Sequence, residues 1–339
     1  MVRWNLLLAL VAASVVSAGC ARQLSPAQSL AIVLPAARVH HAAHPDRGPS
    51  WMRPDASAKK ALMYVSDAGT NDVYVYDYLN GTQVGTLTGQ DDPGPQCVDR
   101  KGDVFVLETG NYTTVEYKHG GTKIINTYQN GGSDAVGCSV DAQGDLAITN
   151  QIPGLITVYA GGKGSGVTYT QSGCNHMWPA GYDGSGNLYL EGASDSGTVV
   201  CELPAGATQM QQVSLSGVFI NFPGSVQWDG KYITLTDQQF QGGYNTGIYE
   251  ATESPSGSLS AFGGTELTAS CKGDYTEVLE PYIAGKKNAP VSHKQGKTIV
   301  GGNAQCYDAG VSYWPYPMGG PPSKSFGTYD VNGISVSFK

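Results

Sequence analysis

The sequence predicts an all-β protein, a six-bladed β-propeller with the C-terminal strand closing the first blade, and three observations predict it. The first is a unit that recurs at near-constant spacing. It is an Asp/Gly turn followed by an apolar strand, anchored at Asp99, Asp141, Asp183 and Asp229, with steps of 42, 42 and 46 residues. The second is composition. The chain has 46 Gly and 20 Tyr with only 14% charged residues, which suits strands and turns. The third is the end of the chain. "VNGISVSF" (331–338) alternates as a strand does, and the first unit, starting near residue 59, has no inner strand of its own. A donated C-terminal strand completes that unit and removes the open sheet edges that invite aggregation.

Residues 1–20 read as an export signal. Arg3 supplies a positive start, and Leu6 to Val16 is an apolar run of signal length, too short to span a bilayer. Two processing readings stand side by side. Val16 and Ala18 fit small-residue cleavage, whereas Ser-Ala-Gly-Cys (17–20) resembles a bacterial lipobox in which Cys20 becomes the lipidated first residue. The expected location is extracytoplasmic, either lipid-anchored at a membrane or periplasmic or secreted, and membrane contact enters only through that anchor. Residues 21–58 have no sustained period and read as a flexible tether, which as a coil spans roughly 35 Å. Within it "LAIVL" (30–34) and Trp51-Met52 are short apolar pieces able to dock on the domain, and "HHAAH" (40–44) reads as solvated.

The propeller is expected over 59–339. The turn-plus-strand element appears as Asp99-Arg-Lys-Gly-Asp103 before Val104, Asp141-Ala-Gln-Gly-Asp145 before Leu146, Asp183-Gly-Ser-Gly-Asn187 before Leu188, and Asp229-Gly230 before Lys231. Each aspartate reads as a turn former, because Asx-Gly turns join hairpin strands. An outer strand ending in a Gly turn follows each, at 73–81, 114–121, 156–162, 199–206, 247–251 and 311–320. Four short strands per unit at a period of 40–50 residues is the propeller signature. Second strands are expected near 62, 103, 146, 188, 231 and 298. "AGKKNAPVSHKQG" (284–296) reads as an insertion in the sixth unit, and the prolines of "YWPYP" (313–317) argue for an outer or edge strand.

Cys20 belongs to the signal region, and Cys97, Cys138, Cys174, Cys201, Cys271 and Cys306 remain. Six cysteines allow 15 pairings. For Cys97 and Cys138, on repeated strands, buried thiols and a disulfide are both open. No zinc-type spacing is present. The net charge of −8 argues against a nucleic-acid surface, which needs a basic patch.

The recurring Val-Asp-x-x-Gly-Asp units over about 60–339 resemble the NHL-repeat family and, more loosely, six-bladed propellers of the gluconolactonase type. The resemblance implies the fold. It also implies a place for function, one mouth of the central channel, where loops of all blades meet.

Six residues just after the second strands are candidates there: Asp67, Glu108, Asn150, Glu191, Asp237 and Asn303. The set is rich in the oxygen ligands that calcium prefers. The bland alternative is that each holds its own turn through backbone N–H groups. "GCNHMWPAGYD" (173–183) adds His176 and Trp178 near one end of the channel. His119 sits in a Gly-rich outer turn, and the simplest reading is exposure. No GxSxG nucleophile elbow, P-loop or strand–GxGxxG–helix is present.

Together these features predict an exported, monomeric binding or interaction module at the cell envelope, with a protein, glycan or small-molecule partner and no cofactor. The alternative is a metal-dependent hydrolase or lyase, lactonase-like, using calcium or another divalent cation at the channel mouth.

Overall fold

The structure, a computed structural model, describes residues 48–194, 197–243, 245–268, 282–284, 297–302, 310–327 and 331–339. Cys20, "LAIVL", "HHAAH", Cys271, Cys306, Asn303 and most of 284–296 lie outside the described residues. Six small, mainly antiparallel sheets form the blades of a six-bladed β-propeller.

Blade 2 shows the plan, from channel to rim: an inner strand Pro93–Val98, a second Val104–Glu108, a third Thr113–Tyr117 and an outer Ile124–Gln129. Blade 3 repeats it with Ala135–Val140, Leu146–Asn150, Leu155–Tyr159 and Val167–Tyr169. In blade 4 the inner position is split into His176–Met177 and Gly181–Tyr182, followed by Leu188–Ser194, Gly197–Leu203 and Gln211–Val213. Blade 5 runs Pro223–Trp228, Ile233–Asp237, Thr246–Glu253 and Leu259–Leu267, and Leu215–Ser216 adds a parallel fifth strand. Blade 6 comprises Tyr282–Ala284, Lys297–Gly302, Val311–Tyr316 and Lys324–Phe326.

Blade 1 closes the ring. Its second, third and fourth strands are Ala61–Asp67, Asp72–Asp77 and Gln83–Thr88, and its inner strand is Val331–Phe338 from the chain's end. The pairing runs from Ala61↔Phe338 to Asp67↔Val331, with one irregularity beside Asp67. Trp51 and Met52 pair with Thr86 and Gly85, so this piece of the expected tether docks as a fifth strand.

The second strands explain the apolar runs in the sequence. Successive side chains of a strand point to opposite faces, and here both faces meet another blade. Leu62 and Tyr64 pack toward blade 2 with Val104 and Val106. Met63 and Val65 pack toward blade 6 with Val300 and Tyr313. Similar clusters fill the other interfaces, such as Leu107 with Ile148 and Leu235 with Tyr189. The core is therefore a set of inter-blade layers, and all seven residues of Ala61–Asp67 are buried.

Three expectations need correction. The Gly-ended strands read as outer strands are the third of four, because a further strand pairs outside each. That includes Val311–Tyr316, which lies between Lys297–Gly302 and Lys324–Phe326. The outer partner reaches only Val311 to Tyr313, so Pro315 stands where no outer strand needs its missing donor. His119 is buried rather than exposed: its Nδ1 lies 2.6 Å from Ser337 Oγ and its Nε2 2.8 Å from Lys59 O. The burial comes from the closing strand, 218 residues away in sequence, which local composition does not report.

Candidate functional site

Each inner strand has two ends, and different chemistry gathers at each. The N-terminal ends pair with the last residues of the second strands: Pro93 with Glu108, Ala135 with Asn150, Pro223 with Asp237. The C-terminal ends lead into the Asp/Gly turns. An inner strand of about six residues separates the two by roughly 15–20 Å.

At the first end, the side chains expected to bind a ligand mainly secure their own connectors. Asp67 Oδ1 accepts the N–H of Thr70 at 3.2 Å. Glu108 Oε2 accepts from Asn111 Nδ2 at 2.8 Å and Thr113 Oγ1 at 3.4 Å. Burial raises the Glu108 carboxyl, partly offset by the Asn111 amide. Asn150 Nδ2 donates to Asn130 O at 2.7 Å, in the segment entering its own blade. Asp237 is the most engaged: Oδ2 accepts from Asn221 N and Nδ2, and Oδ1 from the N–H groups of Phe222 and Gln239.

Glu191 differs. It is fully buried and reaches across to blade 5, where Oε2 accepts the Gly224 N–H at 2.7 Å, while Oε1 has no partner among the described residues. Burial, with the nearby Asp237 carboxylate adding to it, holds its proton well above the usual carboxylate range. Trp178 N donates to Glu191 O, and the Trp178 indole meets Phe222 edge-on at 5.8 Å. His176 pairs with Ala193 on the same second strand. The structure thus brings Trp178, His176, Glu191 and Asp237 to one end of blades 4 and 5. Among the described residues, no group of three or more His, Cys, Asp or Glu is placed to hold a metal ion.

The other end is built by the repeated turns. Asp141 Oδ1 accepts the N–H groups of Gln143 and Asp145 at 2.9 and 2.7 Å. Asp183 does the same for Ser185 and Asn187, and Asp99 for Lys101 and Asp103. Gly144 and Gly186 complete two of these turns with φ of 89°, a left-handed geometry that glycine adopts without steric cost. The regular aspartates in the sequence are therefore turn formers.

Between these turns lies a cavity of about 310 Å³, at the small end of the range for ligand sites. The ends of the inner strands of blades 2 to 5 line it, with Arg100, Ser139, Asp141, Tyr182 and Trp228 in the wall together with Ile334 of the closing strand. A disulfide joins Cys97 and Cys138 across neighbouring inner strands in the same wall, which resolves the thiol-or-disulfide alternative for this pair. A second disulfide, Cys174–Cys201, lies within blade 4. Burial, together with Asp141 and Asp145, pushes the Tyr182 hydroxyl well above its ordinary value, so it stays protonated. None of the wall residues stood out in the sequence as a ligand group. The signal available was the Trp that ends the inner strand of blade 5, in "VQWDG" (226–230), where the earlier units carry Val or Tyr before the turn Asp.

The fold is shared with solved structures. A protein of unknown function from Bacteroides caccae matches with TM-score 0.54 and 10% identity, covering 82% of this chain and 99% of that one. A chain of the nidogen/laminin complex matches with TM-score 0.59 and 10% identity, covering 82% and 98%. A functionally unknown protein from Desulfotomaculum acetoxidans gives TM-score 0.56 and 10% identity, covering 82% and 99%. At such identity the likeness is one of fold. No family model and no curated protein matches the sequence.

Proposed function

We propose that this chain is an exported propeller that binds a small polar ligand in the turn-aspartate mouth of its channel, acting as a binding module at the cell envelope. The observation that carries the reading is the cavity of about 310 Å³ whose wall mixes Arg100, Asp141, Tyr182 and Trp228. A concave site with a few convergent polar groups is where small ligands bind. The wall is rigid, since it is made of strand ends and bonded turns, and a preformed site loses little entropy on binding.

Export is supported by residues 1–20 and by the two disulfides, which persist in oxidising compartments. Lipidation at Cys20 fixes the domain to a membrane through the tether in this reading. The neighbour from the nidogen/laminin complex is consistent with a binding role for such a ring.

The test is a thermal-shift screen of the mature chain against a library of small metabolites. A saturable rise in Tm that Arg100→Ala weakens supports the reading, because a ligand of the folded state alone must raise stability. Hits that are insensitive to Arg100→Ala, and also to replacement of Trp228, place binding elsewhere and contradict it.

A further inference from the structure

The cavity's chemistry narrows the ligand. We infer that it takes a neutral saccharide of one or two rings, an inference that rests on the preceding reading of the cavity as a small-ligand site. Three features of the wall carry this.

The first is Trp228, at the end of the inner strand of blade 5 and 38% exposed. Its indole edge lies against the backbone of Gly184, where a Cβ would stand 3.3 Å from Cε2, Cζ2 and Nε1. The ring is therefore held beside the cavity by a residue with no side chain to shield it. An indole offers an apolar face and a single N–H donor, the pairing that suits the C–H face and the hydroxyls of a pyranose.

The second is the set of polar groups left open around that ring. Arg100 makes no hydrogen bond or ion pair with the described residues. Asp141 Oδ1 is used by its turn, but Oδ2 receives no donor among the described residues. Ser139 Oγ accepts the Tyr182 N–H at 3.1 Å and keeps its own proton to donate. Donors and an acceptor thus face one space. A hydroxyl is both donor and acceptor, so a polyol satisfies such a mixed wall. An apolar ligand would leave these groups desolvated without partners.

The third is charge. Asp141 and Asp183 flank the cavity against the single cation Arg100. A phosphate or polycarboxylate would meet two carboxylates for one guanidinium, and the Coulomb balance disfavours it. A neutral sugar avoids that cost.

The experiment uses the mature chain with two probe sets: neutral mono- and disaccharides (glucose, galactose, mannose, N-acetylglucosamine, maltose, cellobiose), and non-sugars of similar size (aromatic carboxylates and nucleoside monophosphates). Tm shifts are followed by calorimetric titration of hits. The expected result is a saturable neutral sugar whose Kd rises at least tenfold in Trp228→Ala and severalfold in Arg100→Ala, with Trp228→Phe largely restoring binding. Because Arg100 is exposed, its variant keeps the test open should Trp228→Ala fail to fold. Binding of non-sugars alone, with the same dependence on Trp228 or Arg100, overturns the saccharide class but leaves the cavity reading intact. Sugar binding unchanged in both variants overturns the proposed site. Binding from neither set overturns the inference and the reading beneath it together.

Discussion

Cys97 and Cys138 are 41 residues apart and bonded to each other, with their Cα atoms 5.5 Å apart. That step is one repeat along the chain and one blade around the ring. The bond ties two equivalent inner strands at the wall of the cavity, so it fixes the spacing of blades 2 and 3 where the ligand reading needs them rigid.

Removing this bond is expected to be costly. Closing a loop of about 40 residues restricts the unfolded chain by about 3–4 kcal/mol on the chain-entropy model. Cys97→Ser combined with Cys138→Ser should lower the denaturant midpoint, with a somewhat steeper slope because the unfolded chain without the cross-link exposes more surface. An unchanged midpoint under oxidising conditions would argue that the two sulfurs are not joined in the folded protein.

Glu191 gives a pH signature. Its folded-state proton affinity is raised well above that of an ordinary glutamate, first by burial and then by Asp237. The folded state therefore holds a proton that the unfolded state has already released, and stability falls as pH rises from about 4.5 toward the folded-state value. Glu191→Gln keeps the shape and removes the ionisation. The variant should gain stability over wild type as pH increases, and match it near pH 4. A wild-type and variant pair with parallel pH–stability curves would show that Glu191 does not titrate in this way.

Calcium tests the connector end. Asp237 accepts four hydrogen bonds from Asn221, Phe222 and Gln239, and Asp67 and Glu108 also bond within their own turns. A cation would have to displace these donors. Millimolar calcium or EDTA should leave Tm within about a degree of the untreated protein. A rise of several degrees, reversed by EDTA, would favour the metal-dependent hydrolase reading instead.

The fold was legible where the sequence carried two-sided burial and turn chemistry together. Second strands expected near 62, 103, 146, 188, 231 and 298 begin at Ala61, Val104, Leu146, Leu188, Ile233 and Lys297. The closing strand was legible because its alternation had no other partner.

Inner strands were harder to see, because "PGPQCV" reads as a loop. Two inner-strand glycines reflect the close approach of the next blade: a Cβ on Gly181 would lie 2.3 Å from Val226 O, and one on Gly333 2.3 Å from Gly94 O. Outer strands such as Ile124–Gln129 are mostly exposed, so burial imposes little pattern on them. The cavity was not legible at all. Arg100, Asp141, Tyr182 and Trp228 come from four repeats and share no local motif; the packing of successive blades around the axis brings them together. The connector residues were legible as a set, because they recur at one position of the repeat, but recurrence did not separate ligand groups from turn formers.

The central claim is that the ligand enters at the turn-aspartate end and not at the connector end. Two tryptophans mark the ends: Trp228 lines the cavity, and Trp178 packs on Phe222 beside Glu191. The most direct measurement is calorimetric titration of one ligand hit into wild type, Trp228→Ala and Trp178→Phe. Affinity lost in Trp228→Ala and retained in Trp178→Phe is the predicted result. Affinity lost in Trp178→Phe and retained in Trp228→Ala would contradict the claim and move the site to the opposite mouth.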